Sequence, residues 1–187
     1  MSNQGYHIFE NEIVNGPPRA ERELGPGTVP CIRMFYPHML KEDAAVWTRF
    51  LMMNPLVFKT VWYDVHVGRA IEADKRSPEW LQTMADGISR KRIDVVGLWK
   101  TNYFIIEIKP CLDMTALGQV LTYTKLFRDE FSNRGPVLPM IICDVKGPDV
   151  PNVADDYGVD CYENDYPNEN AWFYRPFGLA DNIANAK

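Results

Sequence analysis

Two neighbouring stretches decide the fold: RIDVVG at residues 92–97 and FIIEIKP at residues 104–110. Side chains alternate between the two faces of a β-strand, so Glu107 and Lys109 project from one face and the isoleucines beside them from the other. Asp94 is likewise a charged residue set between apolar neighbours. An acid and a base therefore share one side of an otherwise apolar strand, and a second acid lies on the strand before it.

These charged side chains need compensation wherever the strands are buried. Moving even a neutral polar group out of water costs roughly 2 to 7 kcal/mol, and an isolated charge costs more. One explanation is a salt bridge of Asp94 or Glu107 with Lys109 that stabilises the hairpin. The other is a metal site, because two carboxylates at one end of a hairpin suit Mg²⁺ or Mn²⁺, which keep several of their waters.

Apolar periodicity, together with proline and glycine breaks, divides the rest of the chain into helices and strands. Helices are predicted at residues 41–53, 77–87 and 114–131, with a short helical turn at 152–157. Strands are predicted at residues 58–68, 91–99, 103–109, 137–145 and 158–162. Antiparallel strands followed by a helical crossover predict an α/β protein whose mixed central sheet is flanked by helices.

Asp94, a spacer of twelve residues and then Glu107-Ile108-Lys109 resemble the signature of the PD-(D/E)XK nuclease superfamily. The resemblance implies a restriction-endonuclease-like αβββαβ core around this motif. It also implies that Asp94 and Glu107 bind a catalytic Mg²⁺ or Mn²⁺ and that Ile108 contributes its carbonyl oxygen. Lys109 would orient or activate the attacking water, either as a cation or by proton transfer if burial lowers its pKa.

The helix after this motif carries further support for the resemblance. Gln119 and Tyr123 match the Q-x-x-x-Y motif of the RecB-like branch, and their spacing of four residues places them on one helical face. The resemblance makes Gln119 part of the catalytic set and Tyr123 a nucleic-acid contact. Glu42, at the start of the first helix, is a candidate additional metal ligand; the alternative is a solvent-facing acid favoured at a helix N-terminus.

Basic and aromatic residues near the motif are candidates for nucleic-acid binding. Substrate phosphates could be contacted by Arg90, Lys91, Arg92 and Arg69; the alternative is a solvated run of charges. Trp62 and Tyr63 could stack on unpaired bases, and their alternative role is core packing.

The composition sets limits on all of these readings. Because the chain has a net charge of −5, a polyanion must bind at a local basic surface. Residues 147–174 hold seven acidic residues and no basic one, so the rest of the chain carries a net charge of +2. Four widely spaced cysteines without a C-x-x-C pair predict reduced thiols. No secretory signal or membrane span is recognisable, so we expect a cytoplasmic protein that does not bind membranes.

We therefore expect a metal-dependent nuclease domain at residues 41–165, preceded by an extended Pro/Gly-rich arm at 1–40. An aromatic C-terminal segment at 166–187 is predicted to pack on the domain. The expected partner is nucleic acid, with DNA favoured over RNA, and a homo-oligomer or larger assembly is left open. Two other classes compete: a catalytically inactive nucleic-acid-binding or viral assembly protein on the same fold, and a structural interaction domain whose charged set is only a salt-bridge cluster.

Overall fold

A computed structural model describes residues 22–70, 76, 78–131 and 135–164. Its elements, in chain order, are α1 Lys41–Met53, β1 Thr60–Val67, α2 Glu79–Ser89, β2 Lys91–Trp99, β3 Asn102–Cys111, α3 Met114–Glu130, β4 Val137–Val145, α4 Val150–Asp156 and β5 Asp160–Glu163. Every predicted helix and strand is present, and the bounds of α1, β2 and β4 coincide with the predicted ones. None of the described helices is both long enough and apolar enough to span a membrane.

The five strands form one mixed sheet in the order β1-β2-β3-β4-β5. β1 pairs antiparallel with β2, and β2 antiparallel with β3. β3 pairs parallel with β4 after the crossover through α3, and β4 parallel with β5. The expectation of an αβββαβ core with a mixed sheet and flanking helices is confirmed.

Local sequence signals explain where these elements begin and end. α3 begins after Asp113, whose carboxylate accepts a hydrogen bond of 2.7 Å from the backbone N–H of Ala116. α1 ends at Asn54, directly before a proline that cannot continue the helix. Pro139 is tolerated in β4 because the pairing of β4 with β5 begins one residue later, at Met140.

The two faces of the sheet carry separate apolar cores. Trp47 of α1 packs on one face in a cluster that includes Ile106 of β3. Phe127 of α3 packs on the other face in a cluster that includes Ile105. Because neighbouring residues of a strand point to opposite faces, α1 and α3 sandwich the strand that bears the charged motif.

The described part of the predicted arm, residues 22–40, is attached to the domain. The backbone N–H and C=O of Thr28 both pair with Val61 of β1, at 2.9 and 2.8 Å. The ring of Tyr36 is buried in the cluster under α1. Residues 1–21 and 166–187, which hold the rest of the predicted arm and the predicted aromatic tail, lie outside the described residues.

A buried carboxylate ties this attached segment to α3. Glu130 Oε2 lies 2.9 Å from Arg22 Nη1 and 2.7 Å from Arg90 Nη2, while Oε1 accepts a hydrogen bond from the N–H of Gly68. We expect Glu130→Gln to lower the free energy of unfolding by about 3 kcal/mol, because it leaves the largely enclosed Arg90 guanidinium, 10% exposed, without its counter-charge. Equilibrium urea unfolding measures this change.

Lys125 provides a matched control on the same helix. Its exposed ion pair with Asp129 spans one turn, and such pairs contribute about 0.3 to 0.5 kcal/mol. Lys125→Gln should therefore leave the unfolding midpoint almost unchanged. Equal losses in the two variants would contradict a structural role for the Glu130 network.

Candidate active site

β1 and β2 both break the alternation of strand side chains at one pair of facing residues, Asp64 and Asp94. Residues two apart in a strand should share a face, yet Tyr63 packs on the α1 side and Val65 on the α3 side. Their partners in β2, Val95 and Ile93, also lie on opposite sides of the sheet although they are two residues apart. We call this break in the alternation the slip. Asp64 adopts a left-handed backbone conformation with φ of 56°, which is uncommon for a residue other than glycine.

This slip lies where β2 and β3 separate. Their pairing extends from the hairpin turn to Val95 opposite Ile106. Beyond that point the N–H of Ile108 donates to the side chain of Asp94, with 3.0 Å between N and Oδ2. The Asp94 carboxylate thus takes the place of a backbone acceptor. Burial raises the pKa of Asp94, although the Ile108 N–H and the Lys109 ammonium both act to lower it.

Glu107 is the most deeply buried charged side chain of the motif, with 1% of its surface exposed. Its Oε1 lies 2.9 Å from Lys109 Nζ. Its Oε2 is buried and has no hydrogen-bond partner among the described residues. Burial, reinforced by the nearby Asp94 carboxylate, raises the pKa of Glu107 to about 8. A buried oxygen without a partner is costly, so this position is suited to receive a ligand that the fold itself does not supply.

Lys109 shares the α3 side of β3 with Glu107, as the alternation of the sequence predicted. Burial alone would lower the pKa of Lys109, but the carboxylates of Glu107, Asp94 and Asp43 outweigh it, and the pKa is raised. The sequence leaves two roles open for Lys109, a fixed cation or a group that transfers a proton. Its raised pKa favours the cation in the metal-free protein. Proton transfer from a Lys109 with a lowered pKa has no support in this environment.

The acid of α1 that faces the motif is Asp43 rather than Glu42. Glu42 is exposed, whereas Asp43 is only 6% exposed. Burial raises the pKa of Asp43 to about 6, with Lys109 lowering it and Asp94 raising it. The helical pattern could have identified Asp43, because Val46 and Trp47, three and four residues on, are fully buried on the same face.

Gln119 and Tyr123 of α3 lie on one helical face, as predicted. Gln119 Nε2 donates to the Tyr123 hydroxyl at 3.1 Å, and Gln119 Oε1 is buried without a partner among the described residues. Burial raises the pKa of Tyr123, the Gln119 amide lowers it, and the carboxylates of Glu107 and Asp94 raise it further. The hydroxyl is therefore within electrostatic reach of the charged motif.

The four basic candidates have different surroundings. Arg90 is largely enclosed, with 10% of its side chain exposed, and its guanidinium is already paired with Glu130. Arg92 Nε and Nη2 hold the two oxygens of Asp64 at 2.5 and 2.6 Å, so this guanidinium is already paired with a carboxylate. Lys91 and Arg69 have exposed side chains and are accessible to a substrate.

Asp64 is a charged residue that the sequence analysis missed. Besides Arg92, it has His38 Nε2 at 3.4 Å and His66 Nε2 at 3.6 Å from its oxygens. Its charge contributes to the raised pKa of Asp94, the residue it faces across the sheet. No sequence motif marks this role, since only the backbone slip brings the two acids opposite each other.

The carboxylate oxygens of the charged motif meet some of the requirements for binding a hard divalent cation such as Mg²⁺. Asp94 and Glu107 offer carboxylate oxygens, and the unpartnered Glu107 Oε2 is the observation that favours an added ligand. No group of three or more His, Cys, Asp or Glu side chains arranged to hold a metal occurs in the part of the chain that the structure describes. Mg²⁺ does not require such a group, because it binds one or two carboxylates and keeps several waters.

The raised pKa values make the stability of the metal-free protein depend on pH. Since the pKa of Glu107 rises from 4.5 to about 8 on folding, the folded protein holds this proton more tightly than the unfolded chain. The stabilisation that protonated Glu107 contributes is therefore complete below pH 4.5 and is lost as the pH rises through about 8. We expect urea unfolding in EDTA to show a loss on the order of a few kcal/mol between pH 5 and 8.

Two variants assign this pH dependence to its source. Glu107→Gln cannot titrate and should remove most of the loss, leaving the contributions of Asp94, whose pKa is also raised, and of Asp43, which titrates near pH 6 in the folded state. Glu42→Gln, a neutral substitution on the exposed side of α1, should keep the parental slope. A parental stability that does not change between pH 5 and 8 would contradict the buried, protonatable state of Glu107.

No protein-family model matches the chain, and no curated protein is significantly similar to it in sequence. Three solved structures share part of its fold. A complex of EndoMS with double-stranded DNA matches 73% of this chain with a TM-score of 0.42 and 14% sequence identity. A repair endonuclease from Pyrococcus abyssi matches 67% of this chain with a TM-score of 0.41 and 17% sequence identity. A protein of unknown function matches with 0.39 and 14% over 68%. This chain spans 50%, 48% and 60% of their lengths.

Proposed function

We propose that this protein is a metal-dependent nuclease that hydrolyses phosphodiester bonds in nucleic acid, with DNA favoured over RNA. The observation that carries the proposal is the convergence of Asp94, Glu107 and Lys109 where β2 and β3 separate. Two buried acids with raised pKa values destabilise the metal-free fold. Groups that cost stability without improving packing are typical of functional sites.

Asp94, Glu107 and the carbonyl oxygen of Ile108 are the groups that would hold Mg²⁺ or Mn²⁺. Such a cation neutralises charge on the scissile phosphate and makes its bound water a better nucleophile. Asp43 supports this position from α1, because its negative charge acts on both Lys109 and Asp94. The unpartnered oxygen of Glu107 gains a ligand in this arrangement, which removes the cost of leaving it bare.

The remaining polar groups have roles that follow from their charge and hydrogen-bonding capacity. The Lys109 ammonium offsets the negative charge that develops on the phosphate oxygens during attack. The unpartnered Gln119 Oε1 can accept a hydrogen bond from the attacking water or from the substrate, and Tyr123 holds the Gln119 amide in place. Lys91 and Arg69 provide exposed positive charge for neighbouring phosphates.

Asp43 and Glu42 form a matched pair for testing the contribution of α1 to metal binding. We expect Asp43→Asn to weaken Mn²⁺ binding about tenfold, as is typical when a group that supports metal ligands is changed. Glu42→Gln should change the affinity less than about twofold, because its carboxylate is exposed and screened by solvent. Titration calorimetry measures the Mn²⁺ affinity of both variants. A larger loss of affinity in Glu42→Gln than in Asp43→Asn would assign the supporting role to Glu42.

The proposal is tested by incubating the purified protein with labelled single- and double-stranded DNA and RNA in Mg²⁺ or Mn²⁺. We expect cleavage of DNA by the parent protein and none by Glu107→Gln. Cleavage that survives this substitution would exclude the site. Binding of nucleic acid without cleavage would support the inactive nucleic-acid-binding or viral assembly protein instead.

A further inference from the structure

The loop at residues 28–40 exposes apolar side chains that the core does not use. Met34 is 85% exposed and Phe35 is 81% exposed. Val29, Ile32 and Leu40 in the same loop are also exposed. Single exposed apolar residues are common, but a group of them on one loop is typical of a contact surface.

This loop is fixed on both sides of its exposed pair. Thr28 pairs with β1, and the hydroxyl of the buried Tyr36 accepts a hydrogen bond from the N–H of Arg33 and lies 3.3 Å from the Thr48 hydroxyl. The Arg33 guanidinium lies over the ring of Tyr63, 5.4 Å from its centroid. Phe35 is therefore presented by an ordered support, which lowers the entropy cost of binding through it.

The loop lies next to the candidate active site. His38 Nε2 is 3.4 Å from Asp64, whose carboxylate clamps Arg92, two residues before Asp94. Phe35 is three residues from His38, so their Cα atoms are at most about 10 Å apart. Successive bases of a stacked strand are about 3.4 Å apart. Phe35 therefore lies within a few base spacings of the Asp64 carboxylate.

The charge of the loop suits a polyanion. No acidic residue occurs between Glu23 and Glu42, although the whole chain carries a net charge of −5. Arg33 and His38 lie within this interval, and Lys41 closes it.

The two aromatic residues that the sequence suggested for base stacking are occupied elsewhere. Tyr63 accepts a hydrogen bond from Trp47 Nε1 at 3.2 Å and packs against the Tyr36 ring. Trp62 donates to the carbonyl of Gly25 at 2.7 Å and packs against Tyr103. Their rings belong to the packed structure, which leaves Phe35 as the exposed aromatic side chain nearest to the motif along this loop.

We propose that Phe35, flanked by Met34, stacks on an unpaired base of the nucleic-acid strand that enters the active site. Stacking on an aromatic side chain is independent of sequence because every base has a flat face. The preferred substrate would then be single-stranded, or would expose an unpaired base beside the scissile bond. This inference rests on the proposed function for its choice of partner and narrows the substrate class of that site.

The test uses the 187-residue chain, in EDTA, and a single-stranded DNA that carries 2-aminopurine at successive positions. We expect the parent to bind and to quench the probe at one position. Phe35→Ala should lose about tenfold in affinity together with the quenching. Phe35→Trp should restore both, and Tyr157→Ala, which removes an exposed aromatic ring beyond α4, should match the parent. The fully paired duplex of the same sequence should bind more weakly.

Three results would overturn the inference. One is equal binding and quenching by the parent and Phe35→Ala; if the parent also cleaves DNA, the proposed function stands without the stacking site. Another is equal affinity for the duplex and the single strand. The third is a parent that sediments as a dimer and a Phe35→Ala variant that is monomeric, which assigns the loop to a second copy. Phe35-dependent binding by a parent that never cleaves supports the stacking site and removes the nuclease.

Discussion

Replacing Lys109 by alanine is expected to reduce the rate of DNA cleavage at least about 100-fold, because the proposed function assigns the ammonium to the reacting phosphate. Its raised pKa keeps it protonated throughout the neutral range. Binding of Mn²⁺ should persist, since Nζ lies 2.9 Å from Glu107 Oε1 and the oxygen assigned to the metal is Oε2. Single-turnover cleavage and titration calorimetry on the same preparation measure the two effects.

Lys125 again provides the control, as an exposed lysine of α3 whose ion pair is local. Lys125→Ala should cleave at the parental rate. The loss in Lys109→Ala should appear in kcat rather than KM, because the ammonium acts on charge that develops during the reaction. A Lys109→Ala variant with parental kcat would show that the ion pair with Glu107 is only structural.

Asp94 gives the second large effect, and two substitutions separate its roles. Asp94→Asn retains an oxygen that accepts the Ile108 N–H but loses the negative charge, so the fold should persist while cleavage falls at least about 100-fold. Asp94→Ala also leaves that buried N–H without its partner, which costs about 1 to 3 kcal/mol. Cleavage assays and urea unfolding of both variants give the comparison.

The two Asp94 variants should therefore be equally inactive but unequal in stability. Activity in Asp94→Asn near the parental level would show that an uncharged oxygen suffices, and that Asp94 serves the backbone alone. A marked loss of stability in Asp94→Asn would mean that its charge is needed for folding. The first result would remove Asp94 from the metal-binding pair, and the second would contradict the inference that its buried charge destabilises the metal-free fold.

Much of this fold is predictable because its signals are local. The apolar rhythm of residues 41–53 is closed by a proline, and the mostly apolar run of residues 137–145 indicates a buried strand. Parallel pairing of β3 with β4 follows from the helical crossover between them. Such features depend on neighbours in sequence, so composition and period suffice to place them.

The sequence predicts the central residues of the candidate site, but it does not identify the charged residues around them. Glu107 and Lys109 share a face of one strand, which strand geometry alone requires. Asp64 joins them through a slip in two strands and a positive φ, and these depend on tertiary packing that no local pattern encodes. Arg90 has the same sequence character as Lys91, yet only the structure reveals its buried partner Glu130.

Asp43 illustrates an intermediate case between these two. An acid on the buried face of a helix conflicts with the apolar stripe around it, and that conflict is visible in the sequence. The conflict identifies a residue that needs a partner without identifying the partner. The structure supplies the answer, because the charged strand residues that act on Asp43 are Lys109 of β3 and Asp94 of β2.

The most direct measurement is anomalous diffraction from crystals of the full chain soaked in Mn²⁺. We expect one peak bounded by the Asp94 carboxylate, Glu107 Oε2 and the Ile108 carbonyl, the oxygens that would hold the cation. The same soak of Glu107→Gln crystals should show no peak. A peak at other residues, or one that persists in Glu107→Gln, would contradict a metal centre at the place where β2 and β3 separate.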